Sequence, residues 1–267
     1  MGKLQVIVTV MHEKDAVSYY KKMNLQSDAL FANQSDEYSY TKETVNGHSV
    51  EMITTATRGL SLNRNIGINY SSPEAEYILF SDNDLEFCED YEKLVCEEFE
   101  AHPEAEAIKF FVRDLSNTKN EGRITDSFLK AKRRSVTGFG VVGLAVKRKV
   151  LLTKNLFFNE TFGAGSENFC GEDTIFMQEL IKKGVKFYLS PIEVAQMIPA
   201  ESTWREGRTE KYFTVAGSVL AATYPRLATI LALRSAYRFS KREGTNMSFK
   251  KIFSCYRQGI KKQLKGR

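Results

Sequence analysis

The chain has 267 residues, of which 42% are hydrophobic and 27% are charged. This length suits one large α/β domain with an appendage, and the composition excludes a disordered chain and a multi-span membrane protein. The four cysteines form no CxxC pair, which argues against a zinc site or a disulfide scaffold and favours a reducing cytoplasm. The first apolar run is too short for a signal peptide and is typical of a strand.

Charge is distributed unevenly along the sequence. Residues 234–267 contain eleven lysines and arginines and one glutamate, a net charge of +10, whereas the whole chain carries +5. Residues 1–233 are therefore acidic, at −5. This separation of charge, with an acidic body and a basic tail, is informative about binding partners and does not indicate a particular fold.

Apolar runs and helical patterns alternate over residues 4–189. β-Branched runs predict strands buried on both faces, and apolar residues at helical spacing predict helices between them. The predicted strands are 4–10, 29–32, 50–55, 77–80, 107–112, the apolar run 141–146, and 185–189 before Pro191; the predicted helices are 15–25, one capped by Ser61, 91–99 and 173–183. This order predicts a Rossmann-like α/β fold, with a mostly parallel sheet, helices on both faces and ligands beyond the strands' carboxyl ends.

Residues 206–267 follow a different pattern. Pro225 and Arg226 divide two apolar runs, and neither run reaches the ~20 residues of a membrane span. Farther on, apolar residues recur at helical spacing among lysines and arginines, which predicts a basic amphipathic helix: Phe249, Ile252, Phe253, Tyr256, Ile260 and Leu264. We therefore predict a domain 1–205 and a helical extension 206–267 that binds an anionic membrane surface. Nucleic-acid binding would leave the apolar face unused, and packing of the helix on the domain is the other alternative.

An Asp-Asn-Asp triplet follows the fourth predicted strand. Asp82 and Asp84 flank Asn83 at the carboxyl end of that strand, where two anions need a cation or hydrogen-bond donors beside them. Their hard oxygen ligands suit Mg²⁺ or Mn²⁺, which would hold the phosphates of a nucleotide. A solvated turn is the alternative.

A second acidic pair, Glu172 and Asp173, precedes the apolar stripe of the next helix. The pair could cap that helix and complement its dipole, or one carboxylate could accept a proton from an attacking hydroxyl. Residues 57–65 place Arg64 in the first turn of an earlier helix, where an arginine favours a diphosphate. An ordinary capped helix with a solvated Arg64 is the alternative there.

Two further segments suit contact with a ligand. Residues 33–36 carry short polar side chains that could bind a base edge or form a plain loop. Residues 158–165 are rich in glycine and aromatic side chains, which suits a mobile lip over a sugar or a flexible loop. The histidines at 12, 48 and 102 lack metal-ligand spacing and are taken as incidental.

In this order, the segments resemble the inverting family-two glycosyltransferases with a GT-A fold, of the bacterial polysaccharide-assembly kind. The resemblance spans residues 3–205 and rests on segments 4–10, 33–36, 58–65, 82–84, 158–163 and 171–173. It implies a metal-dependent, inverting transfer of a sugar from a nucleotide-sugar, with UDP expected, to a hydroxyl of a glycan or lipid-linked glycan acceptor in surface polysaccharide synthesis.

The resemblance also implies roles for single residues. Asp84 would be the direct ligand of Mn²⁺ or Mg²⁺, Asp82 would reach the metal or the ribose, and Asp173 would be the general base beside Glu172. Nucleotide-sugar contacts would come from Val10, Gln34, Asp36, Arg58, Arg64, Asp82 and Asn83, with Asp36 at the uracil. Many relatives carry a later histidine near a stretch that matches residues 197–203 here. This stretch has no histidine, so either the chain binds the metal weakly or Ser202, Thr203 or water takes that position.

Two other functions stay open. A nucleotidyltransferase also uses metal-binding aspartates on an α/β sheet, but it typically has an N-terminal glycine-rich basic loop, and residues 10–14 contain no glycine. A non-catalytic partner of another transferase would show no metal-dependent nucleotide hydrolysis. For a glycosyltransferase, the basic extension predicts a cytoplasmic protein, peripheral on the inner face of the cell membrane, with no nucleic-acid partner.

Overall fold

The computed structural model describes residues 2–115, 125–198, 208–242 and 246–265. The strands in chain order are β1 (Leu4–Met11), β2 (Asp28–Gln34), β3 (Ser39–Val45), β4 (His48–Thr55), β5 (Tyr77–Asp82), β6 (Leu85–Phe87), β7 (Ala107–Asp114), β8 (Leu129–Lys130), β9 (Leu144–Lys147) and β10 (Phe187–Met197). The helices are α1 (Ala16–Lys22), α2 (Leu60–Tyr70), α3 (Tyr91–Ala101), α4 (Arg148–Thr153), α5 (Glu172–Lys182), α6 (Glu210–Thr223), α7 (Ala228–Ser240) and α8 (Phe249–Lys265).

The strands of the described residues form one mixed sheet. Its order is β3-β4-β2-β1-β5-β9-β7-β10-β6, and β8 pairs with β10 off this path. β1 lies parallel to both β2 and β5, and β2 lies parallel to β4. β9 runs antiparallel to β5 and β7. The carboxyl ends of β1, β2 and β5 therefore meet at one edge of the sheet, where Thr9 stands opposite Asp82.

The sheet owes its stability to apolar strands that are buried on both faces. Leu4 to Val10 are all buried on β1, as the continuous apolar run predicts. One hydrophobic cluster joins a face of the sheet to α1 and α3, and a second joins the other face to α4 and α5. The predicted α/β arrangement with helices on both faces is confirmed.

Three local predictions are wrong. β3 is missing from the prediction, as are the short elements β6, β8 and α4. The side chains of β3 are polar and exposed, and among the described strands it pairs only with β4, as an edge hairpin. β10 does not end before Pro191 but continues to Met197, and its register against β7 shifts between Leu189 and Glu193. A proline is tolerated at such an irregularity, where the ladder lacks a regular hydrogen bond.

The third error concerns Ser61, which does not cap α2. Gly59 occupies the N-cap position with a φ of 120°, and no side chain there accepts a capping hydrogen bond. The Ser61 hydroxyl instead donates to the Phe162 carbonyl, at 2.6 Å. The side chain therefore fixes a loop to the helix rather than closing the helix end.

The extension forms three helices, and α8 packs closely on α6. An added Cβ at Gly259 would lie 1.8 Å from the Thr214 carbonyl oxygen, and one at Gly217 would lie 2.2 Å from the Tyr256 carbonyl oxygen. Of the six apolar residues predicted for membrane contact, Ile252, Tyr256 and Ile260 are buried, Phe249 and Phe253 are partly buried against the same cluster, and Leu264 is exposed. α8 is thus a packed helix, but among the described residues it packs on the other helices of the extension and not, as the alternative had it, on domain 1–205. Among the described residues, no helix is both long and apolar enough to cross a membrane.

Candidate active site

Arg64 lies at the centre of the acidic edge of the sheet, which is formed by the carboxyl ends of β1, β2 and β5 and the start of α5. Its side chain, on α2, is 2% exposed. Nη1 donates to Asp173 Oδ1 at 2.6 Å, and Nη2 donates to Asp82 Oδ1 at 3.0 Å. Glu172 Oε1 lies 3.7 Å from Nη1. The two acidic segments, 18 and 109 positions from Arg64 in the sequence, therefore meet at one guanidinium group.

This cluster sets the charges of its members. Although burial opposes the charge of Arg64, the carboxylates of Asp173, Asp82 and Glu172 hold its pKa above the usual value. Burial raises the pKa of Asp173, and the nearby Arg64 opposes that shift. Burial and the charge of Asp173 raise the pKa of Glu172 to about 7. A carboxyl group with a raised pKa is a stronger base once it is ionised, which suits proton transfer near neutral pH.

The start of α5 presents Glu172 and Asp173 to this cluster. Gly171 takes the N-cap position with a φ of 103°, and a glycine has no side chain that could cap the helix. Helix capping is therefore not the role of Asp173, whose Oδ1 binds Arg64. Glu172 Oε2 is buried without a hydrogen-bond partner among the described residues. A Cβ at Gly171 would lie 2.3 Å from Val219 of α6, so only glycine fits this close approach.

The loop 158–165 is tied to α2. Asn65 Nδ2 donates to the Phe158 carbonyl at 3.0 Å, and Asn65 Oδ1 accepts from the Phe158 amide at 2.8 Å. The Leu60 amide donates to the Ala164 carbonyl at 2.9 Å. With the Ser61 bond, these contacts hold the loop against the helix that carries Arg64. The sequence predicted either a mobile lip over a sugar or a flexible loop here, and neither interpretation included these contacts with α2.

The predicted nucleotide contacts lie at the ends of β1 and β2 and at the start of α2. Arg58, more than 40% exposed, pairs with the open carboxylate of Asp36. Gln34 Oε1 accepts from the Gly59 amide at 2.7 Å. Val10 is buried in the core, and its carbonyl accepts a 3.4 Å hydrogen bond from Asn63. The structure thus brings Gln34, Asp36 and Arg58 together beside the entrance to α2.

Asp82 and Asp84 differ in their surroundings. Asp82 Oδ1 accepts from Thr9 Oγ1 at 2.8 Å as well as from Arg64, so its charge is compensated. Asp84 is half-buried, and burial with the nearby Asp82 raises its pKa. Asn83 lies near the Tyr19 hydroxyl, where it opposes the rise in pKa that the hydrogen bond to Glu13 causes.

The carboxylates around Asp84 supply few of the ligands that the predicted metal needs. Within the described residues, no group of three His, Cys, Asp or Glu side chains could hold a metal ion. Asp84 makes no ion pair in the same part of the chain, so its carboxylate oxygens suit one position of a hard cation such as Mg²⁺ or Mn²⁺. Diphosphate and water would have to supply the other ligands. Ser202 and Thr203, the suggested substitutes for a histidine, lie outside the described residues.

A cavity of about 140 Å³ opens beside Asp173. Its lining includes Lys109, Phe139 and Gly140, and an added Cβ at Gly140 would lie 3.5 Å from Asp173 Oδ2. Sequence reasoning missed Lys109. Burial lowers the pKa of this lysine to about 8, and Asp173 opposes the shift. The sequence did contain a signal for Lys109, since it is a lysine within the apolar strand β7. A lysine is rarely buried unless a partner compensates its charge, so this position indicates a functional or structural contact.

Solved structures with this architecture include crystal structures of TarS from S. aureus. Against TarS 1-349 in complex with UDP-GlcNAc, the TM-score is 0.62 at 11% identity, covering 99% of this chain and 92% of that one. Against TarS 1-349 in complex with UDP, the TM-score is 0.59 at 14% identity, covering 91% and 73%. Against a longer TarS chain, the TM-score is 0.60 at 13% identity, covering 90% of this chain and 44% of that one.

The chain has a GT-A type fold. This likeness, with the helices of the extension, confirms the predicted fold class. At 11% to 14% identity the likeness to TarS concerns the fold alone. No protein-family model matches the sequence, and no curated protein matches it significantly.

Proposed function

We propose that this protein is an inverting glycosyltransferase that moves a sugar from a nucleotide-sugar, with UDP expected, to a hydroxyl acceptor. The observation that carries the proposal is the joint binding of Asp82 and Asp173 by Arg64. A carboxylate next to the predicted diphosphate site and a carboxylate suited to proton transfer thereby share one edge of the sheet. The UDP-GlcNAc and UDP complexes of TarS support a nucleotide-sugar donor for a chain of this fold.

In the proposed reaction, Asp173 acts as the general base. Arg64 holds Oδ1, while Oδ2 lies on the side of Gly140 and the cavity, from which the acceptor would approach. The acceptor hydroxyl attacks the anomeric carbon as its proton passes to Asp173. The new C–O bond forms as the bond to the diphosphate breaks, and the configuration inverts because the attack comes from the opposite side.

The role proposed for Arg64 differs from the predicted contact with phosphate. Its guanidinium is already shared among three carboxylates, so it orients Asp82 and Asp173. Glu172, beside it, supports the charge of Arg64. The open ends of β1 and β2 are left for the nucleotide, with Asp36 as the candidate for the uracil and Arg58, Gln34, Val10 and Asn83 around it.

The leaving diphosphate carries negative charge that needs compensation in the transition state. Asp84 is the residue that would hold Mn²⁺ or Mg²⁺, and such an ion supplies that compensation when bound. Lys109 lines the acceptor side of the site, where its ammonium group can donate hydrogen bonds to sugar hydroxyls.

The proposal extends to the acceptor and to location. A glycan or lipid-linked glycan in surface polysaccharide synthesis fits an open sheet edge beside a basic extension. Residues 234–267 carry the net charge of +10 that would bring the protein to an anionic membrane surface on the cytoplasmic side. A nucleic-acid partner is not proposed.

Calorimetry with UDP-, GDP- and TDP-sugars, with and without Mn²⁺, tests the donor. We expect one UDP-sugar to bind more tightly with Mn²⁺, and release of UDP when an acceptor is added. Tight binding without turnover would point to a non-catalytic partner. Formation of a nucleotide-sugar from a nucleoside triphosphate and a sugar phosphate would point to a nucleotidyltransferase. An absence of binding across the panel would contradict the proposal.

A further inference from the structure

Helix α7 has one face of small residues turned toward its neighbours. Ala228, Ala232 and Ala236, at spacings of four, are at most 1% exposed. They join a hydrophobic cluster with residues of α6 and α8, including Phe213 and Ile252. The side of α7 that faces the protein is therefore fully defined, and so is the side that faces away.

The side that faces away carries large apolar residues. Leu227, Ile230, Leu233 and Tyr237 are between 47% and 65% exposed. Their spacings of three, three and four residues place them along one side of the helix, opposite the alanines. Large apolar side chains grouped in this way indicate a binding surface, whereas single exposed ones do not.

Basic side chains are interleaved with these apolar residues. Arg226, Arg234, Arg238 and Lys241 are all exposed, and residues 226–242 contain no Asp or Glu. None of the four makes an ion pair within the described part of the chain. The outer face of α7, defined here as these four basic residues with the four apolar ones, thus combines apolar area with uncompensated positive charge.

A groove of about 670 Å³ extends this surface toward α8. Thr229 of α7 lies on one side, and Lys250, Phe253, Arg257 and Lys261 of α8 lie on the other. Like the outer face, the groove combines positive charge with apolar surface, because Lys250, Arg257 and Lys261 lie beside the ring of Phe253. Its cations are suited to phosphate groups that lie next to an apolar layer.

We propose that the outer face of α7, with the groove beside it, is the surface that docks on an anionic phospholipid bilayer. Interfacial helices bury leucine, isoleucine and aromatic side chains at the headgroup boundary and place arginine and lysine against anionic headgroups. A second copy of this face is a poor occupant, because the cations would oppose each other. Nucleic acid would leave the apolar residues in water.

This inference rests on the membrane part of the proposed function and is independent of its chemistry. It also relocates the contact from the predicted apolar face of α8, which is buried against α6, to α7. The apolar face of α8 stabilises the helical unit, and its exposed lysines and arginines assist at the groove.

Flotation of the full chain with vesicles tests the inference. Vesicles of phosphatidylcholine with anionic phosphatidylglycerol are compared with vesicles of phosphatidylcholine alone. We expect the wild type to float only with the anionic vesicles. Ile230→Ser with Tyr237→Ser should lower the partition coefficient at least tenfold. Arg234→Gln with Arg238→Gln should lower it about fivefold per charge.

Matched controls change exposed side chains of the same kinds elsewhere. Tyr70→Ser with Leu152→Ser removes exposed apolar groups of the main domain, and Lys21→Gln with Lys149→Gln removes two charges; both pairs should float like wild type. Calorimetry with UDP shows whether each variant keeps its nucleotide site.

Three results overturn the inference. Equal flotation of the α7 variants and their controls contradicts the assignment of the face while leaving membrane association standing. Failure of the wild type to float removes the membrane proposal as a whole, without bearing on UDP binding. A sedimentation mass that falls from dimer to monomer in the Ile230 and Tyr237 variant would assign the face to a second copy instead.

Discussion

The acidic edge of the sheet and the C-terminal helices use charge in opposite ways. At the edge, Arg64 is buried and its charge is matched by three carboxylates held at short distances. In the extension, the cations lie outside, and glycine and alanine fill the contacts between helices. Buried charges are costly unless their geometry is fixed, so the first arrangement suits chemistry at defined atoms. Exposed charges tolerate variation and suit adhesion to an extended surface.

Removal of Arg64 should have the largest effect. Arg64→Met leaves the buried Glu172 and the partly buried Asp82 and Asp173 together without their cation, so we expect a loss of about 3–5 kcal/mol in the free energy of unfolding. Urea denaturation measures it. Arg58→Met, at an exposed ion pair, is the control and should change stability by no more than about 1 kcal/mol. Equal effects of the two changes would refute the central position of Arg64.

Asp173→Asn should be nearly as damaging, but to turnover rather than to stability. Loss of a general base typically lowers the rate by ~10²–10⁴-fold, so we expect release of UDP with acceptor to fall by that factor while UDP binds almost as before. Asp90→Asn, a carboxylate outside the site whose left-handed backbone suits asparagine, should retain full activity. Full activity in Asp173→Asn would show that another group takes the proton.

Gly259→Ala tests the close packing of the extension. The added methyl group would meet the Thr214 carbonyl, so α6 and α8 must separate, and we expect a cost of about 1–3 kcal/mol or more. Limited proteolysis should then cut the extension sooner, while UDP binding to the main domain stays unchanged. Ser254→Ala, on the exposed side of α8, is the control. Unchanged proteolysis in Gly259→Ala would mean that the two helices pack more loosely.

Glu172→Gln should have a smaller effect that depends on pH. The pKa of Glu172 in the folded chain, about 7, lies above its ordinary value of 4.5. The folded state thus keeps a proton that the unfolded chain releases, and this contribution to stability is present below pH 4.5 and is lost as pH rises through 7. Glutamine never ionises, so Tm should rise at pH 8 by ~2–4 °C for each kcal/mol recovered, and hardly at pH 5. An equal shift at both pH values would contradict the raised pKa.

Much of the sheet edge could be predicted from the sequence. Unbroken apolar runs correctly predicted the buried strands. Asp82 stands at the end of a strand and Glu172 at the start of a helix, and parallel topology brings these two positions to one edge of the sheet. The ion-pair partner of Asp173 could not be predicted, because Arg64 contacts it across 109 positions. An arginine in a first helical turn is compatible with water, phosphate or carboxylate alike.

The extension shows the opposite limit. Its amphipathic pattern correctly predicted a helix at α8, but periodicity does not say which surface covers an apolar face. The approach of Gly217 and Gly259 to the backbone of the facing helix decides that, and it is a tertiary fact. The sequence likewise did not predict β3, because its residues are polar and exposed and only its pairing with β4 defines it as a strand.

The central claim is that the edge formed by Asp82, Asp84 and Asp173 receives the nucleotide-sugar. A crystal structure of the full chain with UDP and Mn²⁺ tests it most directly. We expect the uridine near Asp36 and Arg58, the manganese anomalous signal on the Asp84 carboxylate, and the diphosphate on the same side of the sheet as Asp173. UDP bound away from the carboxyl ends of β1 and β5, under conditions where the crystals hold it at full occupancy, would contradict it.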